Sequence, residues 1–332
     1  MNVLFIPQVG DEQPWLDDLR ASLPDSVTLT TLDRAAPLKS QFRGVTVVVD
    51  QGGHATSEMI EAGAAAGVRL WQVLGTGVDA LDLRALARGG VRVANTPGDT
   101  SAVALAEHAL LLTLAALRKL RQAQVNLARG RMHAPLGEEL CGKTLGIVGL
   151  GASGRELAKR AVALGMSVLA TDLAVVDEAT QRALGVIQLD GDDALARLLG
   201  DADVVSLHVP LVEATRRLIA APELALMKPS AVLVNVARGG LVDEGALCEA
   251  LGNGGLGGAG IDVFVDEPPT TDSPLLKLPT VAATPHIAGM TRETSRRRAR
   301  FCAENVERVH AGTEPRCRIE AAASLGAGEL RP

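Results

Sequence analysis

The feature that most constrains the fold of this chain is a repeated alternation of strand-length apolar runs with helical stretches. VLFIP, VTLTTL, VTVVVD, RLWQVLG and VRVANT occupy roughly the first hundred residues, separated by segments such as SEMIEAGAAAG that suit helices. The pattern resumes with TLGIV and continues through SVLATD, DVVSLHVP, AVLVNVA, GAGIDVF and VAATPHI. These later runs are nearly continuous in apolar residues, which a strand tolerates only when both of its faces are covered. Strands of that kind alternating with helices imply parallel sheets with crossover connections, so the expected class is α/β. At 332 residues the chain exceeds what one core usually supports, and two doubly wound domains are expected.

Between the two series lies the turn Asn95-Thr96-Pro97-Gly98, followed by a helical pattern from about Ser101 to Ala128. Its length predicts one long helix linking the domains. The apolar stretch Ala102 to Leu117 carries Glu107 and His108, and is too short and too polar for a bilayer span. A last helix is predicted from about Arg292 to Val309. Beyond about Gly312 there is no clear period, and the tail reads either as partly disordered or as an arm against a partner.

Composition narrows the function classes. Aromatics make up 2% with no tyrosine, so Ala, Val and Leu must build the core. A net charge of -6 gives no basic surface for nucleic acid, and the cluster Arg296, Arg297, Arg298 and Arg300 reads as the solvated face of a helix. Cys141, Cys248, Cys302 and Cys317 are scattered without CxxC spacing. That suggests reduced thiols in the cytoplasm, with no disulfide frame and no metal site. Met1 leads directly into a strand, so no signal peptide is expected.

The strongest local motif is Gly149-Leu150-Gly151-Ala152-Ser153-Gly154, placed directly after the strand TLGIV and before the helical run RELAKRAVALG. A bare GxGxxG is weak, but in this context the glycines allow a tight turn, close approach to a pyrophosphate and close helix packing. The helix N-terminus then offers free N–H groups to phosphates. Asp172 ends the next strand, where a carboxylate accepts hydrogen bonds from the adenosine ribose and repels a 2′-phosphate, so NAD is favoured over NADP.

From about Leu70 to Ile287 the chain resembles the D-isomer-specific 2-hydroxyacid dehydrogenases. GTGVDALDL, NTPG, LAEHALLL, GIVGLGASGRELA, VVSLHVPL, MKPSAVLVNVARGGLVDEGAL, GIDVFVDEPP and TPHIAG carry the resemblance, in that family's order. The resemblance thins in the first ~65 residues and in the tail. It implies a discontinuous, flavodoxin-like substrate domain from residues 1–97 and 288–332, and an inserted Rossmann NAD-binding domain over 98–287. It also implies an active site in the cleft between them and a homodimer built through the Rossmann domain.

By the same resemblance, His286 in TPHI is the acid/base and Glu267 in VDEP is its paired carboxylate, with Asp266 the adjacent competitor. Arg238 in NVARGG both polarises a carbonyl and holds a carboxylate with its planar fork. Asp262 is an acid in an otherwise apolar run. It either hydrogen-bonds the nicotinamide carboxamide or is a buried structural acid. Gly75, Thr76 and Gly77 match a substrate loop whose amides grip a carboxylate, with threonine where a small apolar residue is common. Further cofactor contacts are implied at Ala152, Ser153, His208, Pro210, Thr215, Ala237 and Gly289.

His208 reads as cofactor-proximal or structural, and His108 as a satisfied buried or interface histidine. His54 follows a Gly52-Gly53 turn where members of the family often select substrate; the loop lacks Arg and Lys, which favours a small acid without phosphate. The reaction implied is hydride transfer between NAD(H) and C2 of a small 2-hydroxy or 2-oxo acid such as glyoxylate or hydroxypyruvate. Two alternatives stay open: oxidation of a phosphonate or phosphite on the same residues, and an NAD-sensing regulatory protein without catalysis.

Overall fold

A computed structural model describes residues 1–8 and 13–320. They fall into two compact units, one spanning Ser101–Gly289 and the other formed by the chain up to Thr100 and from Met290 onward.

The first unit opens with the parallel strands β1 (Asn2–Ile6), β2 (Thr28–Thr31), β3 (Val47–Asp50), β4 (Leu70–Val73) and β5 (Arg92–Ala94). Their order, β2-β1-β3-β4-β5, reverses direction beside β1, the flavodoxin-like arrangement. The inserted unit contains β6 (Thr144–Val148), β7 (Ser167–Thr171), β8 (Val186–Gln188), β9 (Val204–Leu207), β10 (Val232–Asn235), β11 (Gly258–Ile261) and β12 (Val281–Ala283). Their order is β12-β11-β10-β9-β6-β7-β8, the Rossmann arrangement with one added strand at the far edge, and every pair is parallel.

The predicted apolar runs are these strands. Residues of β3, β4, β9, β10 and β11 are buried along their whole length, which is why those segments read as unbroken hydrophobic stretches rather than alternating ones. The short β8 carries the exposed Ile187 and gave no such signal.

Two expectations need correction, and the tail reading is met only in part by described residues. The single helix from Ser101 to Ala128 is two helices, Ala102–Leu117 and Leu120–Ala128. Lys119 adopts φ 51, and the carbonyl of Leu117 accepts from the Glu138 amide instead of continuing the helical ladder. The tail is ordered as far as Glu320: β13 (Arg318–Ile319) pairs antiparallel with β5, and Asn305 clamps it through the Arg316 amide and carbonyl. Residues 321–332, to which the tail reading also extended, lie outside the described residues. Finally, the arginine cluster does not form one solvated face. Arg297 donates to the Thr100 carbonyl at 2.7 Å and Arg298 lies 5.8 Å from the Trp15 ring centroid, whereas Arg296 and Arg300 are exposed.

Among the described residues, no helix is long and apolar enough to cross a membrane.

Candidate active site

In the inserted unit the strand order reverses at β6, between β7 and β9. Register sets Val148 opposite both Thr171 and Leu207, so the loops leaving these three strands begin side by side. Gly149 donates to the Thr171 carbonyl, and His208 donates to the Val148 carbonyl. A Cβ on Gly149, which has φ 100, would press on the His208 carbonyl, and one on Gly154 would collide with the Gly149 carbonyl oxygen. Gly151 differs: a Cβ there would meet nothing, so its own fold does not require glycine at that point. Gly151 is also the N-cap of the helix Ala152–Ala163, and no side chain caps that terminus. An open, uncapped helix start beside a bare Cα suits a pyrophosphate.

Asp172 accepts from the Leu150 amide at 2.6 Å through Oδ2 and from the Ala174 amide at 3.0 Å through Oδ1. A carboxylate has about four acceptor positions, so capacity for a ribose diol is left. His208 sits behind the loop, with Nδ1 3.0 Å from Ser153 Oγ and Nε2 2.9 Å from Ser206 Oγ. Burial lowers its pKa to about 4, so it is a neutral brace for Ser153. Thr215 Oγ1 donates to the Pro210 carbonyl at 2.6 Å, which fixes the turn after β9.

Three further loops of the same unit gather the charged residues. Asn235, the polar end of the apolar β10, is buried and spans the next turn: Nδ2 donates to the Arg238 carbonyl at 2.8 Å and Oδ1 accepts the Ala237 amide at 3.1 Å. Arg238 is half-buried, and its guanidinium donates to the Ala237 carbonyl at 2.7 Å. Any side chain on Gly239 would overlap the Phe264–Val265 backbone, so the Arg238 turn lies directly on the loop that carries Glu267. Glu267 accepts from the Phe264 amide at 3.0 Å and from His286 Nδ1 at 2.7 Å. Partial burial raises its pKa, but the His286 hydrogen bond, the Phe264 amide and the charges of His286 and Arg238 outweigh this, leaving the carboxyl below its ordinary value. Of the neighbouring acids Asp266 and Glu267, it is Glu267 that meets the histidine.

His286 has φ 54, a left-handed backbone that costs a residue with a Cβ on the order of 1–2 kcal/mol. Asp262 holds it. The His286 amide donates to the Asp262 carbonyl at 2.7 Å. The Asp262 carboxylate, fully buried, accepts from Ile287 N at 2.9 Å, Ala288 N at 2.8 Å and Thr284 Oγ1 at 2.6 Å. Burial raises this pKa, but the hydrogen bonds of His108, Thr284, Ile287 and Ala288 bring it below the ordinary carboxylate value. Asp262 therefore has the structural pairing that the bare sequence left open. Gly289 follows this loop, half-buried.

Asn235 and Thr284 escaped the sequence reading. A lone polar residue closing an apolar run singled out Asp262, and the same signal is present at Asn235 in VLVNVA. Nothing local marks Thr284, whose partners lie far along the chain.

In the other unit, the carbonyls of Gly75 and Thr76 accept from the Thr96 amide and from Asn95 Nδ2. Because a trans peptide opposes its C=O and N–H, the amides of Thr76 and Gly77 point away from those partners. Asp50, buried at the end of β3, accepts from Trp71 Nε1 at 3.0 Å and from the amides of His54 and Ala55, both at 3.3 Å. Burial holds its pKa above the ordinary value despite these bonds. His54 itself is exposed.

Residues 110–288 match the model of the D-isomer specific 2-hydroxyacid dehydrogenase, NAD binding domain. A D-3-phosphoglycerate dehydrogenase from Archaeoglobus fulgidus is 37% identical over 94% of this chain, which spans 58% of that relative's length. A hydroxypyruvate reductase from Thermotoga maritima is 41% identical over 76% of this chain and 80% of its own. A crystal structure of a Thermus thermophilus protein superposes with a TM-score of 0.81 at 34% identity, covering 96% of this chain and all of that one. The chain belongs to the D-isomer-specific 2-hydroxyacid dehydrogenase family, and its inserted unit carries that family's NAD-binding domain.

Proposed function

We propose that this protein transfers a hydride between NAD(H) and C2 of a small 2-hydroxy or 2-oxo acid, with His286 as acid/base. The observation that carries the reading is the 2.7 Å contact between His286 Nδ1 and Glu267 Oε2 on a partly exposed loop. An ionised carboxylate can only accept, so Nδ1 carries the proton and Nε2 is the nitrogen left for substrate. In the reducing direction Nε2 gives its proton to the carbonyl oxygen as that oxygen gains charge. In the oxidising direction Nε2 takes the hydroxyl proton. Glu267 stabilises the imidazolium and fixes the ring in both directions.

Arg238 is the cation that polarises the carbonyl and binds the carboxylate, and its planar fork suits both tasks. NAD, held through Gly149–Gly154 and Asp172, supplies the hydride donor or acceptor when bound. The outward amides of Thr76 and Gly77 are donors suited to a carboxylate. The loop Gln51–His54 carries no Lys or Arg, which supports a short acid without phosphate, of the size of glyoxylate or hydroxypyruvate.

We further infer a homodimer formed through the inserted unit. Leu111, Leu120, Val125, Leu127, Met132 and Leu136 are exposed there, which supports a face that a second copy would cover. Light scattering on the purified protein checks this: a monomeric mass sinks it. The four cysteines are free thiols, which supports a reducing, cytoplasmic setting.

The deciding experiment assays NADH and NADPH oxidation against a panel of 2-oxo acids with and without phosphate, beside His286→Ala. Turnover of a short acid with NADH, lost in the variant, is expected. No turnover on any member overturns the assignment, and a preference for NADPH overturns the role given to Asp172.

A further inference from the structure

His108 lies on the helix Ala102–Leu117, nearly buried, and far in sequence from any residue assigned a role above. Its Nε2 is 2.8 Å from Thr284 Oγ1 and 3.4 Å from Asp262 Oδ1. The donor inventory fixes the direction of this chain. Thr284 has one hydroxyl hydrogen, and at 2.6 Å it goes to the Asp262 carboxylate, which cannot donate. Towards His108, Thr284 can therefore only accept, so His108 must carry its proton on Nε2. The remaining acceptor positions of Asp262 take the Ile287 and Ala288 amides, the residues directly after His286.

We infer that His108 is a positioning residue for His286: its Nε2–H locks the Thr284 hydroxyl onto Asp262, which in turn holds the left-handed turn at His286. The inference rests on the reading of His286 as acid/base. Removing the Nε2 donor leaves Thr284 free to rotate its hydroxyl away from Asp262, and the loop loses one of its three carboxylate ties. A displacement of about 1 Å at a reacting group can cost up to about a hundredfold in rate. The cost falls chiefly on turnover, because none of the hydrogen bonds of His108, Thr284 and Asp262 runs to Gly149–Gly154 or Asp172.

The test uses the full chain with His108→Leu, His108→Gln, Thr284→Val and the His108→Leu/Thr284→Val double variant. Expected are a kcat at least tenfold down in His108→Leu, a dissociation constant for NADH by fluorescence that moves less than threefold, and recovery to within threefold in His108→Gln, whose amide restores a donor. Thr284→Val is expected to match His108→Leu, and the double variant to lose no more than either alone. Nitrogen-15 spectra of the parent protein are expected to report His108 as the Nε2–H tautomer. Parent-like kcat in His108→Leu, failure of His108→Gln to recover, multiplying losses in the double variant, or the Nδ1–H tautomer each overturn the inference. Should His108→Leu not fold, the tautomer and the His108→Gln to Thr284→Val comparison still decide it. His286→Ala separates the two readings: full activity in that variant removes the acid/base assignment itself, whereas its loss together with a parent-like His108→Leu removes only the role of His108.

Discussion

Asp50 and Asp262 occupy matching places in the two units: each is a buried aspartate at the C-terminal end of a parallel strand, and each staples the loop that carries an exposed histidine. Their carboxyls are nonetheless driven in opposite directions. Asp50 lies above its ordinary pKa, because burial outweighs the Trp71 indole and two amides at 3.3 Å. Asp262 lies below it, because a histidine, a hydroxyl at 2.6 Å and two amides near 2.9 Å outweigh its burial. The number and closeness of the donors, set against the cost of burial, thus decide the state of a buried acid. The loop above Asp262 is pinned tightly enough to keep a strained residue in place, and the loop above Asp50 is held by long bonds and turns on two glycines of positive φ.

The sharpest way to break this contrast is through the two histidines. His286→Ala is expected to lower kcat by about 10²–10⁴, the range for losing a general acid/base, while His54→Ala changes kcat by less than about threefold and moves KM. Equal losses in steady-state assays would mean that both loops carry chemistry. Next in size, Arg238→Lys is expected to reduce kcat/KM by on the order of 10², since a point charge replaces the fork, with NADH binding retained in a fluorescence titration. Asp262→Asn turns an amide towards donors and is expected to cost about 2–3 kcal/mol, against about 1 kcal/mol for Asp50→Asn, where burial of the charge already opposes folding. Thermal unfolding that ranks Asp50→Asn as the more damaging would reverse the comparison.

The smallest expected effect is on pH dependence, where the two signs differ. Asp262, depressed on folding, stabilises above its unfolded pKa, and that contribution is lost as pH falls through the folded value. Asp50, raised on folding, contributes in full below the ordinary value of 3.8 and loses that contribution as pH rises through its folded value. Urea unfolding across the acid range should therefore show Asp50→Asn gaining on the parent protein as pH rises, and Asp262→Asn falling further behind it.

Most of this architecture was legible in the residues because burial on both faces writes itself as an unbroken apolar run, as in VVVD and VLVN. GLGASG was legible because strand, glycines and helix are contiguous. What escaped depends on partners distant in sequence. The break at Lys119 is set by a carbonyl bonded to Glu138, and β13 is too short to carry a period of its own. The polar chain behind His286 joins His108 to Thr284, 176 positions away, a relation that no local pattern encodes.

The first unit also draws its core from both ends of the chain: Val3, Phe5 and Trp15 pack in one cluster with Ala299, Cys302 and Val306. During synthesis residues 1–100 therefore emerge before the helix that covers them, while Ser101–Gly289 already holds all of its own strands. The inserted unit can collapse first. Its folding then shortens the loop that must close before the Arg297 guanidinium can reach the Thr100 carbonyl across the two crossing points. Until the helix Arg292–His310 is made, one face of the first sheet is a sticky surface awaiting its lid, and the nascent chain's exposure to misassociation is greatest over that interval.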